Sequence, residues 1–92
     1  MIESFRCKDT RQLWETGKSH RFNAIKSVAL RKLAMLDAAE NLEDLRVPPA
    51  NRLEALRGDR KGQHSIRVND QWRVCFYWDN GRVLDVEIVD YH

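Results

Sequence analysis

The chain has 92 residues, of which 42% are hydrophobic and 33% are charged, and its formal net charge is +2. This length supports one modest hydrophobic core, so residues 1–92 are predicted to form a single domain. No apolar stretch reaches membrane-spanning length and the N-terminus lacks a signal-peptide pattern, so we expect a cytoplasmic protein without membrane contact. Cys7 and Cys75 are predicted to stay reduced, because they form no metal or redox motif.

The N-terminal part of the chain predicts one short strand and one short helix. Residues Ile2–Phe5 alternate briefly between apolar and polar side chains, which is typical of a strand. Asp9 and Thr10 are residue types that cap helices, and Gly17 is a type that ends them. We therefore expect a helix that these residues bound.

A longer second helix is predicted from about Asn23 to about Ala39. Asn23 is a common N-cap residue, and apolar side chains recur after it at helical spacing. Three cations lie off this apolar stripe and are expected to be solvated: Lys26, Arg31 and Lys32.

The central segment is basic and irregular. Residues 46–73 hold seven cations and three carboxylates, a local net charge of +4 that suits the attraction of a polyanion. The pair Pro48–Pro49 excludes a regular helix. Residues 52–57 are predicted to form a short strand, with Leu53 and Ala55 as the candidates for inward positions, and a basic loop bounded by glycines follows.

Two hairpins are predicted near the C-terminus. Burial favours a three-residue loop at 79–81 over the two-residue loop Asn80-Gly81, because only the longer loop pairs Phe76 with Leu84 and keeps apolar residues together. A three-residue loop at 69–71 completes the first hairpin. Strand parity then defines two faces of the sheet. The core face holds Ile66, Val68, Trp72, Val74, Phe76, Leu84, Val86 and Ile88, and the arginine face holds Ser65, Arg67, Arg73, Cys75, Tyr77, Asp85 and Glu87.

The arginine face is expected to stay open and to attract an anion. The predicted register places Arg67 opposite Arg73, and like charges in this position destabilise a sheet. Glu87, the predicted neighbour of Arg73, would relieve part of this repulsion and an anionic ligand the rest. The element order β-α-α-β-β-β predicts an α+β fold with two N-terminal helices packed on one face of a small, mainly antiparallel sheet.

The chain contains the residue types that metal-free RNA cleavage needs. The 2′-hydroxyl must lose a proton, the 5′-oxygen must gain one, and cations must stabilise charge on the phosphate. Histidine titrates near neutral pH, and the histidines and cysteines lack the spacing of metal ligands, so no metal or cofactor is expected. The candidates for proton transfer are Glu54, Asp90, Tyr91 and His92, and those for charge stabilisation are Arg57, Arg67 and Arg73.

Two stretches of the sequence resemble a known protein family. They are Gly58-Asp-Arg-Lys-Gly-Gln-His-Ser-Ile-Arg-Val-Asn-Asp-Gln-Trp-Arg-Val-Cys-Phe and the closing Val89-Asp-Tyr-His. With the N-terminal Ile2-Glu-Ser-Phe and the long helix, the resemblance to HigB-type toxins of bacterial type II toxin–antitoxin modules, within the RelE/ParE superfamily, covers nearly the whole chain.

The resemblance implies a RelE-like microbial ribonuclease fold and an endoribonuclease that cleaves mRNA in the A site of the 70S ribosome, which inhibits translation. It also implies a cognate HigA-type helix-turn-helix antitoxin, through which alone the protein would reach operator DNA. Arg73 would contact the scissile phosphate, and Asp90, Tyr91 and His92 would form the C-terminal part of the site. Arg57 and Arg60, with Lys61 and Arg67 beside them, would bind RNA.

One residue departs from the family pattern. Close relatives often have histidine two residues before the Leu-Lys/Arg-Gly-Asp segment, whereas this chain has Glu54. A carboxylate accepts a proton but supplies no positive charge. Glu54 could therefore be a general base, or it could merely balance Arg52 and Arg57.

Two other functions stay open at this point. A ParE-like protein would inhibit DNA gyrase or another protein target without catalysis, and its terminal residues would be dispensable. An RNA-binding module without cleavage is the third reading, and Glu54 favours it. The co-occurrence of Arg73 with the terminal Asp-Tyr-His argues for the nuclease.

Overall fold

A computed structural model of the protein describes residues 1–90, and the fold is α+β, as predicted. Two helices, α1 (Lys8–Thr16) and α2 (Lys26–Ala38), precede a four-stranded antiparallel sheet. Its strands are β1 (Glu54–Ala55), β2 (His64–Arg67), β3 (Trp72–Asp79) and β4 (Arg82–Asp90), in the order β1-β2-β3-β4. No helix within residues 1–90 has the length and apolar character that crossing a membrane requires.

The hydrophobic core lies between the helices and the predicted core face of the sheet. The rings of Phe22 and Trp72 meet edge to face across it, with their centroids 5.5 Å apart. Trp72 is half-buried, and Val83 is buried where Leu84 was expected. The other core-face predictions are confirmed, since all of these residues are buried: Ile66, Val68, Val74, Phe76, Val86 and Ile88.

The N-terminal residues pair with β4 but do not form the predicted regular strand. Parallel bridges join Ile2 to Val83 and Phe5 to Val86. The Glu3 N–H donates to the Val83 carbonyl at 2.8 Å. These isolated bridges cover the outer edge of β4, and they leave the β1 side as the far edge of the sheet.

Helix α1 ends where the sequence predicted but starts differently. Gly17 takes a left-handed conformation with φ of 72° and ends the helix, as expected. The N-cap position belongs to Cys7 and has no side-chain hydrogen bond, so the prediction that Asp9 or Thr10 caps the helix is wrong. Thr10 is buried instead, and its hydroxyl accepts a hydrogen bond of 3.1 Å from the Ile88 N–H, which ties α1 to β4.

Helix α2 follows a 3₁₀ turn at Asn23–Ile25, and the Asn23 side chain does not cap it. The expectation that Lys32 is solvated is wrong, because Lys32 is only 5% exposed. Its ammonium group donates to the Asn51 side-chain oxygen at 2.5 Å. Asn51 belongs to the 3₁₀ turn Pro49–Asn51, so a segment distant in sequence covers this lysine.

The first hairpin has the predicted register. Ile66 pairs with Val74 and Arg67 with Arg73. The loop needs no glycine because the Asn69 side-chain oxygen accepts hydrogen bonds from the backbone N–H groups of Gln71 and Trp72, each at 2.8 Å. An Asx turn therefore closes this hairpin.

The predicted register of the second hairpin is wrong. Asp79 pairs with Arg82, so the loop is the two-residue Asn80-Gly81. A bulge further along β4 then shifts the register, and Val74 faces Ile88. The extra residue is Asp85, whose φ is 52°. The bulge shifts β4 by one residue, so apolar residues again face one another across the two strands. The three-residue loop was predicted to give this same kind of pairing.

The segment before β2 forms a shorter strand than predicted. Only Glu54–Ala55 pairs with β2, and both residues are exposed, so Ala55 is not an inward position. Leu53 packs against the core, as expected, and Leu56 is buried. The prediction that residues near Pro48–Pro49 form no regular helix is confirmed, since they form the short 3₁₀ turn.

Candidate active site

Arg73 lies at the centre of the arginine face and is held by buried contacts. It is only 7% exposed. Its Nε donates to the Ser65 hydroxyl at 2.8 Å, and its Nη2 donates to the Arg52 carbonyl at 2.7 Å. These contacts come from β2 and from the residue that follows the 3₁₀ turn, so the guanidinium has one defined orientation.

Glu54 is the carboxylate beside Arg73. Its Oε1 lies 3.6 Å from Arg73 Nη1, and its side chain is 51% exposed. Glu54 also lines an open cavity of about 490 Å³ together with Ala55, Leu56 and Arg57. The structure thus brings together two of the predicted catalytic residues, and one of them, Glu54, lines an accessible cavity.

Glu87 does not neighbour Arg73, contrary to the prediction. The bulge in β4 pairs Glu87 with Cys75, and its Oε1 lies 3.2 Å from Arg60 Nη1. Arg60 also donates to the Gln63 side-chain oxygen at 3.0 Å. Arg60 is therefore held over the sheet by Glu87, whereas Glu54 takes the place expected for that carboxylate.

The arginine face is not open, contrary to the prediction. Ser65 and Cys75 have no exposed surface, and burial raises the pKa of the Cys75 thiol. The chain that follows β1 folds over this face through the Arg60–Glu87 ion pair. Gly62 also packs against Tyr77, since a Cβ at Gly62 would lie 3.4 Å from the Tyr77 ring. Strand parity could not predict that this face is covered, because the covering residues belong to an irregular loop.

The remaining predicted RNA-binding residues lie at different places around Arg73. Arg57 and Lys61 are exposed, and neither forms an ion pair within residues 1–90. Arg67 is half-buried opposite Arg73 and contacts the fully exposed carboxylate of Asp70. The cations are therefore spread from the cavity rim to the end of β2.

Asp90 lies at the end of β4, opposite Trp72 and thus one residue along the sheet from Arg73. Gln71 Nε2 donates to its Oδ2 at 3.2 Å. Tyr91 and His92, both predicted catalytic residues, lie outside the described residues. Within residues 1–90, no group of three or more His, Cys, Asp or Glu side chains is placed to hold a metal ion.

Two hydrogen-bond partners of Arg73, Ser65 and the Arg52 carbonyl, were not predicted from the sequence. Ser65 was placed on the arginine face by parity, and that position opposite Cys75 could have suggested a partner for Arg73. The Arg52 carbonyl had no such signal, because its direction depends on the left-handed backbone of Arg52, with φ of 47°.

Comparisons with known proteins show which family the chain is similar to. A family model described as "RelE-like toxin of type II toxin-antitoxin system HigB" matches residues 3–92. The chain is 45% identical over 87 residues to toxin HigB-1 of Vibrio cholerae, covering 92% of each chain. It is 32% identical over 93 residues to endoribonuclease HigB of Proteus vulgaris, covering 100% of each.

A solved structure has the same fold at low sequence identity. The YoeB–YefM toxin–antitoxin complex of Staphylococcus aureus contains a chain that matches with a TM-score of 0.63 and 14% identity, covering 100% of this chain and 98% of that one. At this identity the likeness is one of fold.

Proposed function

The chain belongs to the HigB-like family of RelE-like toxins from type II toxin–antitoxin systems, and from this premise we propose that it is an endoribonuclease that cleaves mRNA in the ribosomal A site. Cleavage of the message there would inhibit translation. The name of the Proteus vulgaris relative supports the nuclease activity. The observation that carries the proposal is the fixed Arg73 guanidinium beside Glu54, a carboxylate that lines an open cavity.

In this mechanism Arg73 stabilises negative charge on the scissile phosphate. Ser65 and the Arg52 carbonyl already take hydrogen bonds from Nε and Nη2. Nη1 lies 3.6 Å from Glu54 Oε1, and Glu54 lines the cavity. A cation held in place before the substrate binds costs no reorganisation during the reaction, which is the condition for strong electrostatic stabilisation.

Glu54 is proposed to accept the proton of the 2′-hydroxyl. It is the carboxylate that is both exposed to the cavity and close to Arg73. A general base in this position would act on the nucleophile while Arg73 holds the phosphate. This gives Glu54 a catalytic role at the place where relatives often have histidine.

Asp90, Tyr91 and His92 are proposed to supply the proton that the leaving 5′-oxygen needs. Asp90 reaches the end of β4 beside Trp72, the neighbour of Arg73 in β3. Histidine is the side chain best suited to donate a proton near neutral pH, which favours His92. With these groups, the protein's own side chains supply each function of the reaction, and the proposed catalysis needs no metal.

Arg57, Arg60, Lys61 and Arg67 are proposed to bind the phosphates on either side of the cut. Arg57 lines the cavity and Lys61 is exposed, whereas Arg60 would bind a phosphate in addition to its ion pair with Glu87. Phosphate contacts of this kind position an RNA without reading its sequence.

The partners follow from the family. Type II toxins act within toxin–antitoxin systems, and the structural neighbour from Staphylococcus aureus is a toxin–antitoxin complex. We expect a HigA-type helix-turn-helix antitoxin that connects the pair to operator DNA, and we expect the 70S ribosome and mRNA as targets in the cytoplasm.

The test uses purified protein and ribosomes that carry a defined message. The wild-type protein should cut within the A-site codon, and Arg73→Ala or His92→Ala should abolish the cut. Glu54→Gln should lower the rate by about 10²- to 10⁴-fold, the usual contribution of a general base. Arg46→Ala, which removes an exposed arginine paired only with Glu43 among residues 1–90, serves as the matched control and should leave cleavage unchanged.

An uncut message under conditions that arrest growth would contradict the nuclease. Loss of DNA supercoiling in cells whose growth the protein arrests would then favour the ParE-like inhibition of gyrase. Binding of RNA without any cut would favour the third reading, an RNA-binding module.

A further inference from the structure

Lys32 is a buried lysine of α2 that contacts a turn far away in the sequence. It is 5% exposed, and its ammonium group donates to the Asn51 side-chain oxygen at 2.5 Å. Within residues 1–90 it forms no ion pair. A buried ammonium group is costly unless it is hydrogen-bonded, so the contact with Asn51 replaces water that the lysine has lost.

Asn51 uses both ends of its side-chain amide. It is fully buried, and while its Oδ1 accepts from Lys32, its Nδ2 donates to the carbonyls of Leu45 at 3.1 Å and Val47 at 3.4 Å. The lysine supplies the hydrogen that Oδ1 needs, so the amide has a defined orientation. Together these contacts hold the 3₁₀ turn Pro49–Asn51 against α2 and against the chain that precedes the turn.

Arg52, the next residue, connects this anchored turn to the candidate active site. Its backbone is left-handed, with φ of 47° and ψ of 57°. A residue other than glycine takes this conformation at a cost and keeps it only where its surroundings fix it. The Arg52 carbonyl accepts a hydrogen bond from Arg73 Nη2 at 2.7 Å. The direction of this carbonyl therefore depends on the turn that Lys32 and Asn51 hold.

The Arg73 guanidinium is held by two different parts of the fold. Its Nε donates to the hydroxyl of Ser65, in β2, at 2.8 Å. This hydrogen bond by itself leaves the planar group free to rotate about the bond. The contact of Nη2 with the Arg52 carbonyl limits that rotation, and it thereby also sets the direction of Nη1, which lies 3.6 Å from Glu54 Oε1.

We propose that Lys32 and Asn51 are positioning residues for Arg73 and act on it through the Arg52 carbonyl. Lys32, Asn51 and Arg52 form a hydrogen-bonded relay, and this relay fixes the rotation of the guanidinium. The relay does not have to touch the RNA. Its effect on catalysis rests on the proposed function, in which Arg73 holds the scissile phosphate, whereas its effect on the orientation of Arg73 depends on no reaction.

Nuclear magnetic resonance of isotope-labelled protein measures this orientation. Arg73→Lys identifies the Arg73 side-chain signals by their absence. In the wild type the Nε–H and Nη2–H protons should give separate signals, because both are hydrogen-bonded and the side chain is buried. In Lys32→Met the Nη2–H signal should be lost, whereas the Nε–H signal should remain because Ser65 stays in place.

Asn51→Asp is the second test variant and breaks the relay at its other contacts. Aspartate keeps an oxygen for Lys32 but has no N–H for the carbonyls of Leu45 and Val47. It should therefore lose the same Nη2–H signal. The backbone amide signals of each variant show whether it is folded.

Ribosomal cleavage of the defined message measures the consequence for catalysis. Lys32→Met should lower kcat by about 10- to 100-fold, since misplacement of a catalytic group by about 1 Å can cost about 10²-fold. KM for the ribosome should change little, because the exposed cations remain. The matched control is Lys26→Met, which makes the same exchange at a half-buried lysine of α2 without an ion pair in residues 1–90, and it should keep both signals and the wild-type kcat.

An Nη2–H signal that persists in either folded test variant, or that is absent from the wild type, would overturn the relay. Its loss in Lys26→Met, or the unfolding of both test variants, would overturn it as well, because the contacts would then support the fold in general. A rise in KM at constant kcat would contradict the effect on catalysis. Cleavage with every signal kept would remove only the relay, and selective loss of the signal in a protein that cuts no message would remove only the nuclease.

Discussion

The Arg73 side chain is oriented by a serine that touches no part of the open cavity. Ser65 is completely buried, and its hydroxyl accepts the Arg73 Nε–H at 2.8 Å. The hydroxyl therefore acts through the arginine rather than on the substrate. At the residue scale, Ser65 is a positioning residue for the proposed reaction.

Ser65→Ala should reduce kcat by about 10- to 100-fold, because a hydrogen bond to a charged group contributes about 1.5–3 kcal/mol. KM for the ribosome should change little, since the cations at the surface remain. Single-turnover cleavage at varied ribosome concentration measures both constants. The matched control is Ser27→Ala, an exposed serine of α2. A rise in KM at constant kcat, or a loss explained by unfolding, would contradict the positioning role.

At the scale of elements, the β3–β4 hairpin combines a tight turn with a bulge. Asn80 and Gly81 both have positive φ, 53° and 90°, as the two-residue loop requires. Asp85 also has a positive φ, and its backbone N–H donates to the Ser4 hydroxyl at 2.9 Å. The N-terminal segment thus satisfies the backbone group that the bulge leaves without a partner strand.

The bulge predicts a difference between two substitutions of Asp85. Asp85→Val should lower the free energy of unfolding by about 1–2 kcal/mol, because a branched side chain is strained at positive φ. Asp85→Gly removes the same carboxylate and relieves the strain, so it should keep or slightly raise stability. Denaturant unfolding of both variants measures the difference. Equal stability of the two would show that the backbone at Asp85 carries no strain.

The elements differ in how far the sequence could predict them. The first hairpin was predicted correctly, because parity and the loop length agree there. The prediction for the second hairpin was wrong, although the Asn-Gly signal for the short loop is plain. In a hairpin without a bulge, burial and turn chemistry favour different registers, and the bulge at Asp85 reconciles them. The two ends of α1 also differ in how predictable they are. Gly17 ends the helix through its own backbone conformation, so its role was predictable from the sequence. Thr10 is buried because it contacts β4, and the sequence around it does not indicate that contact.

At the scale of the whole molecule, the site depends on segments that meet only in the folded state. Glu54 comes from β1, Ser65 from β2 and Arg73 from β3, and the loop through Arg60 covers the same face. Lys32 joins this region from the helical layer through Asn51. The charge of this lysine is therefore coupled to folding as a whole.

The pH dependence of stability should report this burial. The pKa of Lys32 is lowered below 10.5 in the folded protein, chiefly by desolvation and then by Arg31 and Arg67. Between the lowered pKa and 10.5 the unfolded chain binds more protons, so this lysine makes the free energy of unfolding rise with pH across that window. Below the window it is charged in both states and adds no slope.

Lys32→Met and Lys32→Arg should both remove this contribution, since neither residue loses a proton in that range. Denaturant unfolding at several alkaline pH values measures the slope for the wild type and the two variants. A slope that survives in both variants would show that it arises from another group.

The sequence by itself determined the fold class, the two faces of the sheet, the first hairpin and the family, because these follow from local periodicity, turn chemistry and contiguous motifs. Only the tertiary structure decided that Glu54 rather than Glu87 accompanies Arg73, that Ser65 and the Arg52 carbonyl orient it, and that Lys32 is buried against Asn51. The physical reason is that each of these contacts joins residues from separate segments, and an irregular loop, a bulge or a left-handed residue sets their directions. Such features produce no periodic pattern in the amino-acid sequence.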